Sequence, residues 1–287
     1  MKPHESKDSL AALRSKRIIC YIVLIVLTMA CLLPFYMLLI NATRAHADIQ
    51  KEFSVIPGVW FITNFKNVWN NETILIVRGM INSLIVSTST VVLSVYFSAM
   101  TAYSIHAYDF KLKNVAFTFI LLIMTVPTQV GALGFIKMVT AMGMKETFWP
   151  LILPAIASPA TFFFMKQYME SSLPLEIVEA ARIDGSGEFY TFNTIILPLL
   201  KPALAVQAIF GFVSSWNNYF TPSLVLTKAE MKTLPLWIAY LRGADFTKFD
   251  MGQLYMMIAF SIFPVIVIYL ILSKFIVQGV TLGSVKG

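Results

Sequence analysis

Between two long apolar runs the chain reads Glu179-Ala180-Ala181-Arg182-Ile183-Asp184-Gly185, followed after nine residues by Ile195-Ile196-Leu197-Pro198 and then Pro202. Acidic and small residues dominate this stretch while its flanks carry almost no charge, so it reads as a water-exposed helical hairpin held at a membrane surface. Pro174 stands where a first helical turn tolerates a missing amide, and Glu176 sets a negative charge against the positive end of the helix dipole. Ile177, Ala180, Ala181 and Asp184 then recur at helical spacing, with two alanines small enough to let another surface approach the backbone. Asp184-Gly185 is expected to close the helix, because glycine takes the left-handed conformation that ends one. A second short helix is expected from Phe189 to Ile196, stopped by Pro198.

On either side of the hairpin, charge disappears. The 287 residues are 57% hydrophobic and 13% charged, outside the usual range of water-soluble domains and inside that of polytopic membrane proteins. Six charge-free stretches, 18–40, 81–103, 115–136, 148–165, 203–227 and 254–272, are long enough or nearly so to cross about 30 Å of hydrocarbon. Lipid tolerates no unpaired backbone, so each is expected to be helical and the fold class all-α, a polytopic membrane protein with six transmembrane helices. The 148–165 stretch is the shortest and is interrupted by Pro150, Pro154 and Pro159, whose freed carbonyls need partners from neighbouring helices.

An even number of spans puts both termini on one side, and Lys2, Lys7, Arg14, Lys16 and Arg17 place that side in the cytoplasm. The 106–114 turn, the 166–202 hairpin and the tail from Lys274 then lie inside, and 41–79, 137–147 and 228–250 lie outside. A basic lead before an apolar run also describes a cleavable signal. The run continues through Pro34 to Ile40, past a usual signal core, which favours an uncleaved first span. Cys20 and Cys31 lie too far apart on one helix to bridge each other. The expected organisation is a polar lead (1–16), a first helix with its outer loop (17–79), a main transmembrane domain (80–275) containing the hairpin (170–202), and a tail (276–287).

Several function classes are excluded. The net charge of +7 is scattered over loops on both faces instead of forming one stripe, which argues against nucleic acid as a partner. No Gly-x-x-x-x-Gly-Lys-Ser/Thr phosphate loop is present, so nucleotide hydrolysis is not expected in this chain. None of the six stretches contains Asp or Glu, against an ion-coupled transporter, and Ser and Thr without a matching His or carboxylate at bilayer depth argue against an intramembrane enzyme. His4, His46 and His106 are isolated and no cluster has metal-ligand spacing, so neither a metal nor a cofactor is expected.

Polar groups inside spans mark candidate pathway residues. Trp216-Asn217-Asn218-Tyr219 in the fifth stretch combines amides with aromatic faces, which suits a sugar, and equally suits hydrogen-bonded packing between helices with an interfacial Trp. Gln129 beside Pro127, with Gly131 and Gly134, either breaks the third span at a cavity or belongs to ordinary helix packing. Phe61, Phe65, Val68 and Trp69 share one face of a short helix suited to the membrane interface or to a partner. The 228–250 loop, with Leu236, Trp237, Tyr240, Arg242 and Gly243, is long for a simple connection.

The words Glu-Ala-Ala-x-x-Asp-Gly and, at the same fixed distance, Ile-x-Leu-Pro resemble the signature of the ABC importer permeases that work with extracytoplasmic binding proteins, and both halves are intact here at 179–185 and 195–198. The six-span pattern over 80–275 agrees. The ending Gly279-Val280-Thr281-Leu282-Gly283-Ser284-Val285-Lys286-Gly287 resembles the carbohydrate branch, in particular the second permease subunit of maltose-type transporters. The resemblance implies a translocation subunit, not an enzyme, in the bacterial cytoplasmic membrane. Its implied cargo is a carbohydrate, foremost an oligosaccharide, with a polyol or glycerol phosphate ester as the alternative. The implied partners are a second homologous permease, two ATPase subunits that hold ATP and Mg²⁺, and an extracytoplasmic solute-binding protein. Glu179, Ala180, Ala181, Asp184 and Gly185 would then seat in the ATPase cleft, and the 228–250 loop would probe the binding protein. In the maltose-type pair the sugar is held largely by the other permease, which leaves open whether this one touches it.

Overall fold

A computed structural model describes residues 5–243 and 250–283, with side chains from 13 to 243 and from 250 to 275. Lys2, His4, Lys248 and the closing words from Ser284 onward lie outside the described residues, as does the end of the 228–250 loop. Every regular element among the described residues is helical: α1 (Glu5–Ala42), α2 (His46–Lys51), α3 (Phe61–Trp69), α4 (Ile76–Ala107), α5 (Lys113–Met124), α6 (Ala132–Ala141), α7 (Trp149–Ile152), α8 (Pro159–Ser172), α9 (Leu175–Ile183), α10 (Glu188–Tyr190), α11 (Leu197–Leu199), α12 (Lys201–Trp216), α13 (Phe220–Val225), α14 (Leu234–Arg242) and α15 (Met251–Gly283).

Three helices, α1, α4 and α15, are long and apolar enough to cross a membrane unbroken, and they coincide with the first, second and sixth charge-free stretches. The other three stretches are helical but interrupted. The third divides between α5 and α6 around Pro127, which has no amide to donate. The fourth breaks at Ala157-Ser158, and Pro159 opens α8 as its first residue, where a missing amide costs nothing. In the fifth, Asn218 Oδ1 accepts from the Thr221 amide at 3.2 Å, a local bond that competes with the helix ladder between α12 and α13. Non-helical backbone at membrane depth persists where protein surrounds it or where it lines a cavity.

The chain forms two compact units. In the first, which spans 5–70 and 250–259 among the described residues, α1 exposes its side chains from 13 to 36, as a lipid-facing rod does, and carries Cys20 and Cys31 as free thiols. Beyond α1 the chain folds back on itself. Buried Asn64 donates to the carbonyls of Ala42 and Arg44, both at 2.9 Å, and Arg44 donates to those of Asp48 and Glu52. On α3 the rings of Phe61, Phe65 and Trp69 stack in series while Val68 is buried.

The second unit, 71–243 and 260–283 among the described residues, is organised around α4, against which α8 and α12 pack. The buried side of α4 carries Gly79, Ser83, Ser87, Ser94, Ser98, Ala99 and Ala102, small residues that allow close helix approach without a hydrophobic drive from water. Near one end, Ala99, Ala102, Tyr103 and Ile105 join Phe162, Met165 and Met169 of α8 in an apolar core. At the other end Gly79 lies under Trp237 of α14, where a Cβ would approach the indole to 2.6 Å.

Candidate functional site

The hairpin is built on that apolar core. Pro174 stands one place before α9 in an extended conformation, φ −64° and ψ 135°, and not inside the first turn. Gly185 closes the helix at φ +77°; its amide reaches Arg182 O, and the Ser186 amide reaches Ala181 O. This double closure satisfies two orphan carbonyls and requires the left-handed residue. The second limb departs from the sequence expectation: α10 runs into a wide π turn, Thr191–Ile196, and α11 carries Pro198 within it. Pro198 does not stop the limb because the widened turn leaves it at the start of a new helical segment, where no amide is needed. The chain then bends by 80° into α12.

The two walls of the hairpin differ. Val178, Ala181, Phe192, Ile196 and Leu200 are buried, four of them in the core with α4 and α8. Glu179, Ala180, Asp184 and Gly185 are exposed, as is Arg182. Ala181, expected on the docking face, is 6% exposed and belongs to the inner wall, since it lies three residues after buried Val178 on the same side of α9, while Asp184 stays outside. Two residues not singled out from the sequence dominate the outer wall: Ile183 is 86% and Phe189 71% exposed. Ile183 lies off the buried stripe of α9, and an apolar residue out of phase with its helix was the available signal.

A polar strut ties the limbs together. Arg182 Nε lies 2.9 Å from Glu188 Oε1, and Glu188 Oε2 accepts from the hydroxyls of Tyr108 and Tyr103. The Arg182 guanidinium also sits 5.0 Å from the Tyr108 ring centroid. The Tyr108 hydrogen bond, reinforced by Arg182, holds the Glu188 carboxyl below its ordinary range, and burial with the same carboxylate pushes Tyr108 up. His106 Nε2 lies 3.1 Å from Leu173 O, a structural contact at the base of the hairpin.

Further along the same rods lies a cavity of about 590 Å³. Thr90 and Ser94 of α4, Thr161 of α8, and Gln207, Ser214 and Ser215 of α12 supply polar groups, and Phe135, Phe164 and Phe210 supply rings. Among the described residues no charged one lines it. Of the residues singled out from the sequence, Asn218 is on the wall. Trp216 is buried, stacks on Phe212 at 5.6 Å and donates to Ser261 O at 3.0 Å, which makes it packing. Asn217 and Tyr219 are exposed and not among the lining residues. Gln129 is exposed in the break between α5 and α6; Pro127, Thr128 and Gly131 line a second cavity of about 840 Å³ there, and Gln129 does not. The face Gln207, Gly211, Ser214, Asn218 was legible as a helical recurrence within an apolar run.

Beyond α13, the backbone of residues 227–234 is held by side chains from two other segments. Glu146 accepts from the amides of Thr227, at 2.9 Å, and Lys228, at 3.0 Å, and from the Thr227 hydroxyl. Asn82 donates to the carbonyls of Glu230, at 2.8 Å, and Lys232, at 3.0 Å; Arg78 reaches Glu230 O, and Ser83 Oγ accepts from the Leu234 amide at 2.8 Å.

Residues 94–282 match the family described as binding-protein-dependent transport system inner membrane component. The chain is 34% identical over 274 residues to an arabinooligosaccharides transport system permease protein of Bacillus subtilis (strain 168), across 94% of this chain and 96% of that protein. It is 30% identical over 279 residues to a melibiose/raffinose/stachyose import permease protein of the same organism, across 96% and 99%. An sn-glycerol-3-phosphate transport system permease protein of Yersinia pestis is 29% identical over 273 residues, across 93% and 96%. The backbone resembles a chain of a bacterial ABC transporter involved in the import of the acidic polysaccharide alginate, with a TM-score of 0.77 at 21% identity, over 91% of this chain and 96% of that one.

Proposed function

The chain belongs to the binding-protein-dependent inner-membrane components of ABC importers, and we propose that it is the permease subunit that carries a carbohydrate inward when an ATPase subunit grips the α9–α11 hairpin. The observation that carries this reading is the asymmetry of the hairpin, whose inner wall is locked into α4 and α8 while its outer wall presents Ile183 and Phe189 bare. Covering each of those side chains would contribute roughly 1.5–3 kcal/mol, a reason for a protein partner in place of water. Both termini and the hairpin lie in the cytoplasm in this reading, and ATP and Mg²⁺ are bound by the partner.

The coupling is mechanical. The core around Ala102 grips the hairpin, and Thr90 of the same helix lines the cavity about 18 Å away at the usual helical rise. A displacement imposed on the hairpin when two ATPase subunits close therefore moves the cavity wall, and the energy enters as differential binding of two arrangements. A wall of hydroxyls, amides and rings without charge fits a neutral sugar; a phosphate ester calls for Arg or Lys, which the lining lacks. Ile183→Glu tests the reading without disturbing the buried wall. Co-purification of the ATPase and sugar uptake are both expected to fall at least about tenfold, the equivalent of losing one such burial. Undiminished values for both would overturn it.

A further inference from the structure

Glu146 has a left-handed backbone, φ 59°, and is the one non-glycine residue with positive φ among the described residues. Three positions earlier the same connection uses Gly143 at φ +65°, where nothing lies within 4 Å of a Cβ position. Glycine therefore serves where only the turn matters. At 146 a side chain is retained in a conformation that disfavours it, and that side chain meets the amides of Thr227 and Lys228. The Glu146 amide donates in turn to Val225 O at 3.1 Å, so backbone and side chain both engage the end of α13. Burial acts to raise the Glu146 carboxyl, but the bonds from Thr227 and Lys228 outweigh it and hold the group below the ordinary carboxylate range.

The residues thus fixed are exposed. Thr227, Lys228, Ala229 and Glu230 all face solvent although their backbone is pinned by Glu146, Arg78 and Asn82. A segment that merely connected two helices needs no such set of holders. A rigid exposed platform loses little entropy when another protein lands on it. Lys228 and Lys232 on the segment, with Arg78 and Lys145 beside it, stand against Glu230 and Glu146, an excess of positive charge that fits a carboxylate-bearing surface.

We infer that Glu146 is a positioning residue that presets the exposed residues 227–230 as a docking surface for an acidic face of the extracytoplasmic solute-binding protein. This rests on the proposed importer function and the orientation that goes with it. Glu146→Gly keeps the left-handed turn and removes the acceptor; Glu146→Gln keeps one acceptor oxygen. The complete importer, reconstituted in vesicles, is titrated with its own solute-binding protein, and stimulated ATP hydrolysis is followed. Glu146→Gly is expected to raise the half-saturating concentration about tenfold, with unchanged basal and maximal rates, and Glu146→Gln to recover part of the difference. Added salt is expected to weaken the wild-type response and to narrow the gap. A Glu146→Gly titration that superimposes on wild type overturns the proposal alone. A lower basal rate with no shift in half-saturation assigns Glu146 a structural role and also overturns it. A wild-type complex indifferent to the binding protein overturns the importer reading and this proposal with it.

Discussion

The hairpin and the 227–234 segment both project from the α4 bundle, yet they are held by opposite means. The hairpin is held by buried side chains, Val178, Phe192, Ile196 and Leu200, and leaves apolar groups on its free wall. The 227–234 segment is held chiefly through its backbone, by Glu146, Asn82, Arg78 and Ser83, with Thr233 and Leu234 buried at its end, and leaves Lys228 and Glu230 exposed. Apolar packing resists displacement from many directions at once, as a lever that bears load requires. Hydrogen bonds to main-chain groups fix a position while leaving the side chains of 227–230 free to vary, as a surface that meets one partner among many requires.

If that contrast is correct, substitutions should separate the two regions. The largest effect is expected from Phe192→Ala, which opens a cavity in the core gripping the hairpin and costs about 3–5 kcal/mol locally. Protease cleavage near Gly185 should become rapid and uptake should cease while the protein stays in the membrane; a protected, active variant would mean that the grip lies elsewhere. Next in size, Gly185→Ala strains the left-handed closure by about 1–2 kcal/mol. ATPase association should weaken several-fold, whereas Gly143→Ala, equally left-handed but in the connection before Glu146, should leave it unchanged.

A smaller effect is expected in the cavity that the two regions flank. Gln207→Leu removes a polar group from the wall, and uptake should fall several-fold with ATPase association intact; unchanged kinetics would move the sugar contact off this chain. The smallest effect concerns pH. The Glu188 carboxyl is held below its ordinary value in the folded hairpin, so its contribution is complete above the ordinary glutamate range and is lost only as pH falls through the depressed value. Hairpin protease resistance should be flat from neutral pH down to that range and decline below it, and Glu188→Gln should abolish the dependence.

The hairpin was legible because its instructions are side chains in sequence order: Gly185 closes a helix after Glu176 opens it, although the face read from Ile177 to Asp184 divides, with Ala181 inside and Ala180 and Asp184 outside. Its second limb was misread at Pro198, since nothing local foretells the π turn that accommodates that residue. Spans were legible as absence of charge, but the breaks at Ala157-Ser158 and after Trp216 depend on neighbours that supply partners for freed backbone groups. Trp216 drew attention for chemistry that its bond to Ser261 O uses for packing, while Gln207 passed unnoticed in an apolar run. Glu146 left no trace, because a left-handed glutamate looks like any other until its three-dimensional partners are known.

The wide turn at Thr191–Ile196 fixes more than shape. A π turn holds about one residue more than an α turn, and each residue advances an ordinary helix by about 100°. Deleting one residue there would return the limb to regular winding and rotate Leu200, now buried, away from Phe192 and its neighbours. The distance between the two halves of the signature is therefore an angular setting, like the meshing of gear teeth, and one lost or gained residue would put the wrong side of the limb against α4.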